Sequence, residues 1–150
     1  MIELLYAVTA GILGIFAGAQ IAEGVLFVPY WKSMKPADFY EEHKVFGPIV
    51  YKFFAPLTIA ATLIPIGTAI YALMVDAPGK MAVLLTGFFT LLFFATYYLY
   101  FKKANQSFAD ASLSEDELPL ELVKWGKWHW TRIYLELAAL VCVLIALITN

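Results

Sequence analysis

Charge and cysteine are what this chain has least of. Asp, Glu, Lys and Arg make up only 15% of its 150 residues, against 62% hydrophobic. With a net charge of −2 there is no basic face of the kind nucleic acid requires, so no nucleic-acid partner is expected. The single cysteine, Cys142, excludes an intramolecular disulfide and a cysteine-based zinc cluster. No glycine-rich phosphate loop or nucleophile elbow is present. Internal repeats are missing too, which leaves a transporter built from inverted halves without support. Met1–Glu3 lacks the basic start of a signal peptide, and the first apolar run is longer than a signal core. It therefore reads as a retained helix.

What is there is apolar, in four long runs: roughly Leu4–Tyr30, Phe46–Val75, Met81–Tyr100 and Ile133–Ile148, the last extended backwards by an aromatic, basic lead-in from Leu122. Each can supply the roughly 20 residues that a helix rising ~1.5 Å per residue needs to cross a hydrocarbon core of about 30 Å. Unpaired backbone groups are costly in lipid, so the spans should be helices; four are far too few for a closed barrel. The expected fold is all-α: an integral membrane four-helix bundle forming one transmembrane domain over 1–150. Its spans lie near 4–30, 46–75, 80–103 and 122–148, with a short polar helix between the first two. The lipid bilayer is the first expected partner.

Prolines and glycines punctuate this plan. Pro29 and then Tyr30-Trp31 mark the exit of the first helix. Pro36 suits the first turn of the short helix, Pro36–Phe46, and Gly47-Pro48 is expected to bend or break the chain before the second span. Pro56 and Pro65 free carbonyls inside that span, which neighbouring helices must cover. Ala77-Pro78-Gly79 is a tight turn. Ser114 and Glu117, in the acidic loop Asp110–Pro119, have the spacing of a helix-start signal. On the first helix Gly11, Gly14 and Gly18 join Ala10 and Ala17 in a small-residue face. Its first reading is packing within this bundle; its second is a homo-oligomer seam.

Orientation follows from the lysines. Lys80 alone lies on the side of the termini, whereas Lys32, Lys35, Lys44, Lys52, Lys102, Lys103, Lys124 and Lys127 lie on the other. By the positive-inside rule that second side is cytoplasmic and both termini face out, in a bacterial-type inner membrane.

The chemistry-bearing residues gather toward the lysine-rich end. Trp125, Trp128, His129, Arg132 and Glu136 fall at spacings of three, four and seven, which places them on one helix face. Counting back about 20 residues from the end of the chain places His129 at the interface, Arg132 just inside and Glu136 clearly inside. A charge at such depth is costly unless paired or hydrated, so this face should look into the bundle. Helix one adds Glu23, with Gln20 one turn deeper, at comparable depth. Glu41, Glu42 and His43 lie on the same side. The plainer alternative is an Arg132–Glu136 ion pair beside a belt of Trp125, Trp128 and Trp130, with Glu41 to Lys44 as a solvated face.

The lead-in Trp125-Gly-Lys-Trp-His129-Trp-Thr-Arg132 has the form W-x3-H-x2-R at the start of a final membrane helix. Near the other end, Gly14-Ile-Phe-Ala-Gly18 is followed by Pro29, a polar segment with a histidine, and a proline-containing second span. In these features the chain resembles the anthrone oxygenase-like family of small four-helix membrane proteins, largely a domain-of-unknown-function family. The resemblance implies oxidation of an electron-rich polycyclic phenol to a quinone by O₂ without a dedicated organic cofactor. It also implies His129 and Arg132 as site residues, supported by Trp125. Within that chemistry His129 takes the phenolic proton and Arg132 holds the phenolate, while Glu23 and Glu136 enter from depth and spacing. Trp125, Trp128, Tyr97, Tyr98 and Gln20 would contact a flat, lipophilic small molecule arriving from the lipid.

Two other classes stay open. No cofactor is favoured, but a haem or metal ion held by His43 and His129, with Glu23 and Glu136 as further ligands, is one alternative. The other is a non-catalytic accessory subunit packed against other membrane subunits.

Overall fold

The computed structural model describes residues 1–149. Four helices, each long and apolar enough to cross a membrane, form an all-α bundle: α1 (Ile2–Ser33), α2 (Pro36–Met74), α3 (Lys80–Ala109) and α4 (Glu117–Ile148). Each packs on the next in sequence and α4 closes on α1, giving an up-down-up-down ring of antiparallel neighbours. This is the architecture of an integral membrane protein. One end carries both chain ends and the α2–α3 turn. The other, the near end below, carries the α1–α2 and α3–α4 connections.

The helices run further than the hydropathy pattern implies. Pro29 does not end α1; it sits just past a π-turn, Glu23–Phe27, in which the Val28 N–H reaches back five residues to the Glu23 carbonyl. Proline has no N–H to give and its ring crowds the carbonyl four residues earlier. The wider π-turn accommodates that ring, so α1 continues to Ser33. The polar segment Pro36–Phe46 is likewise not a separate helix. It is the first part of α2, which stays helical across Pro48, Pro56 and Pro65 with no break at Gly47-Pro48. Two chain reversals are set by local chemistry. Ser114 and Glu117 bond reciprocally: the Ser114 N–H donates to Glu117 Oε2 (2.9 Å) and the Glu117 N–H to Ser114 Oγ (3.3 Å), which starts α4. Gly79 turns the chain at φ +70°, where a Cβ would lie 3.0 Å from the Ala146 carbonyl oxygen.

The far half of the bundle is a continuous apolar core around Leu13, Phe16, Ala61, Phe93, Ala139 and Val143. Within it Thr9 and Thr68 share a hydrogen bond of 2.9 Å and Tyr6 donates to the Pro78 carbonyl (2.8 Å), whereas the buried Thr62 and Thr90 hydroxyls have no partner. Glycine use corrects the expectation for α1. A Cβ on Gly11, Gly14 or Gly18 would meet nothing within 4 Å, so that strip faces out of the bundle. Glycines that permit close packing between helices include Gly87 of α3, where a Cβ would meet Ala69 of α2 at 3.1 Å, and Gly24 and Gly126, where α1 and α4 cross. A Cβ on Gly24 would meet the His129 ring at 3.2 Å, and one on Gly126 would meet Val28 at 3.0 Å.

Candidate functional site

In the near half the bundle opens around a cavity of about 1190 Å³, walled by all four helices. Phe54 and Phe93 line its deep end, both packed edge-on against Phe16 of the apolar core (6.4 and 5.5 Å between ring centroids). Charged and polar lining comes from Gln20, Glu23, His43 and Arg132, with Glu41, Glu42, Lys44 and Asp110 toward the end of the bundle.

Arg132 is the centre of the site. Its guanidinium carbon lies 4.5 Å from the Phe93 ring centroid and 4.6 Å from that of Phe101, so two aromatic rings of α3 hold it. Phe93 and Phe101 are eight residues apart, which on a regular helix would turn them about 80° from each other. A second π-turn, Tyr97–Phe101, absorbs one residue. The two rings then behave as if about seven apart and share a face to within about 20°. Among the described residues no carboxylate comes within the 4.0 Å ion-pair distance of Arg132, and its buried Nε has no hydrogen-bond partner. The side chain is thus positioned by stacking and keeps its hydrogen-bonding capacity for something else.

His129 lies behind the cavity wall. It is 1% exposed, and its Nε2 sits 2.8 Å from the Gln20 carbonyl oxygen, an arrangement in which the ring donates to the carbonyl. Its Nδ1 faces Glu23 Oε2 at 3.8 Å. Trp125 stacks on it (5.0 Å, 11°). Trp125 is fixed in turn by its Nε1–H donating to Asn105 Oδ1 (2.9 Å) and by Trp31 and Phe101 against its edges. Glu23, at the start of the first π-turn, lines the cavity in front of His129. The α1–α4 contact therefore presents a carboxylate to the cavity with an imidazole behind it.

The remaining candidates divide. Gln20, Tyr97, Tyr98 and Trp125 line the cavity; Trp128 does not, because it stacks on Tyr100 outside it (5.2 Å, 8°). Glu136 is 2% exposed, one turn deeper than Arg132, and off the cavity wall. His43 is the imidazole that lines the cavity; it stacks on Phe39 (5.3 Å, 15°) and lies against Gly47. His43 and His129 do not face each other across a shared space, since His129 is turned to α1. Among the described residues no group of three or more His, Cys, Asp or Glu side chains is placed to hold a metal ion. Phe93, Phe101 and Asn105 were not singled out from sequence. The W-x3-H-x2-R spacing points to what they hold but not to the holders.

No family model matches the chain, and no curated protein or solved structure matches it.

Proposed function

We propose that this protein is a membrane oxygenase that converts a lipophilic, electron-rich phenol to a quinone with O₂, as its resemblance to the anthrone oxygenase-like family implies. One observation carries the reading. A guanidinium stacked between two phenylalanines, with no carboxylate in ion-pair contact, faces an aromatic-walled cavity at membrane depth. Holding a charge there without a direct partner is costly, and a ligand anion would relieve that cost.

In this reaction the ring C–H para to the phenol becomes C=O, one oxygen atom of O₂ enters the quinone and the other leaves as water. The role of the protein is to generate and hold the phenolate, the electron-rich form that O₂ oxidises. Glu23 accepts the phenolic proton. His129 positions that carboxylate from behind, and Arg132 stabilises the phenolate oxygen. Trp125 and Phe93, which line the cavity, offer aromatic surfaces to the substrate rings, while Phe101 holds Arg132 from behind.

The test uses the purified protein in vesicles with anthrone, whose enol tautomer is such a phenol, in air-saturated buffer. Quinone formation should exceed that in empty vesicles, with one O₂ consumed per quinone formed. No acceleration over empty vesicles would overturn the oxygenase and leave the accessory-subunit reading in its place.

We also propose that the cavity end is cytoplasmic and that both termini face out, in a bacterial-type inner membrane. That end carries every lysine but Lys80. A cysteine at the exposed Ser112, introduced with Cys142→Ser, should react with an impermeant thiol reagent only after cells are opened. Labelling of intact cells would reverse the orientation.

A further inference from the structure

Resting on the oxygenase reading, we infer that the substrate is a single-chain amphiphile. Its phenolic head sits at Arg132 and Glu23, and its hydrocarbon chain leaves sideways between α2 and α3 into the lipid. Three observations support this.

The first is size. The cavity holds about 1190 Å³, more than the about 300–1,000 Å³ usual for sites that enclose a drug-sized molecule. A compact ring system at Arg132 would leave much of it empty.

The second is shape. Phe46, Tyr51 and Ile59 on α2, and Phe94, Tyr97 and Tyr98 on α3, line the cavity and are also exposed, from 39% at Phe94 to 72% at Tyr51. A side chain that does both stands on a rim, so the cavity is open along the α2–α3 edge. From Phe46 to Ile59 that rim runs for about 20 Å along α2, at ~1.5 Å per residue. The opposite edge is shut by the close α1–α4 crossing at Gly24 and Gly126.

The third is chemistry. The rim is apolar and aromatic and suits a hydrocarbon chain, whereas the guanidinium and carboxylate lie inside. A phenol can donate its proton to Glu23 and accept from Arg132. A phosphodiester lipid has no proton to give and would bring a second negative charge beside Glu23, which disfavours an ordinary membrane phospholipid as the occupant.

The experiment is photolabelling in lipid nanodiscs with 3-dodecylphenol, whose para C–H is free, carrying a diazirine at the chain end, with crosslinks mapped by mass spectrometry. Labelling should concentrate on the rim, at Tyr51, Ile59, Phe94 and Tyr97. Excess unlabelled 3-dodecylphenol should abolish it while leaving diffuse labelling of lipid-facing positions such as Leu4 and Leu144. Ala55→Trp, which fills the slot from α2, should remove the rim labels and keep the diffuse ones; the latter also report that the variant is still folded in the disc. Labels spread evenly around the bundle, or rim labels that competitor does not reduce, would overturn the proposal. Because labelling needs no turnover, competed rim labels without anthrone oxidation would refute the oxygenase but not the site. Anthrone oxidation without rim labels would refute the chain and spare the oxygenase.

Discussion

Replacing Arg132 by glutamine should lower kcat/KM for phenol oxidation by a factor of about 10²–10³, the range seen when a preorganised donor to a developing oxyanion is removed. The amount of protein in the membrane should barely change. Arg132 makes no ion pair with a carboxylate among the described residues, so no salt bridge is broken, and a planar amide can still lie between Phe93 and Phe101. The informative companion is Arg132→Lys. An ammonium keeps the charge, but it is a compact point charge with neither the planar face nor the forked donors of arginine. If the stacked geometry matters, lysine should restore only a small part of the loss. Steady-state oxidation in vesicles, together with size-exclusion profiles of each variant, measures both quantities. Full activity in Arg132→Gln, or aggregation of that variant, would remove Arg132 from the site.

The sequence carries the architecture because the bilayer imposes it. A span must be long, apolar and helical, so four runs of suitable length give four helices and, with short connections, antiparallel neighbours. Their ends are less readable, because Pro29 and Pro48 look like breaks until the surroundings are known. A π-turn absorbs the first, and α2 stays helical through the second. The site was half readable for a related reason. Helical spacing placed His129 and Arg132 on one face, yet residues three apart still diverge by about 60°. That angle is enough to turn His129 toward the Gln20 carbonyl of α1 and Arg132 toward the phenylalanines of α3. Phe101 was hidden because the π-turn before it shifts the register by one residue. The outward Gly11–Gly14–Gly18 strip shows the limit of composition. Small residues mark a face that permits close approach, and only the packing says whether another helix of the same chain uses it.

The division of labour between Glu23 and His129 leads to the other large effect. Glu23 lines the cavity, whereas His129 is 1% exposed with one ring nitrogen committed to a carbonyl. Glu23→Gln should therefore lower kcat at neutral pH by about 10²–10⁴, the usual contribution of a positioned base, and leave KM nearly unchanged. Its pH dependence is the more specific sign. Without a base, the reaction must wait for phenol that has already ionised. For a hydroxyl with a pKa of about 10, that fraction rises about tenfold per pH unit below the pKa. The rate of Glu23→Gln should climb with that slope between about pH 7 and 9, and the wild-type rate should not. His129→Asn removes only the group behind the carboxylate, so its loss should be smaller and should lack the slope. If instead His129→Asn gave the steep pH dependence while Glu23→Gln kept a flat profile, the imidazole would be the base, and Glu23 would serve to orient it.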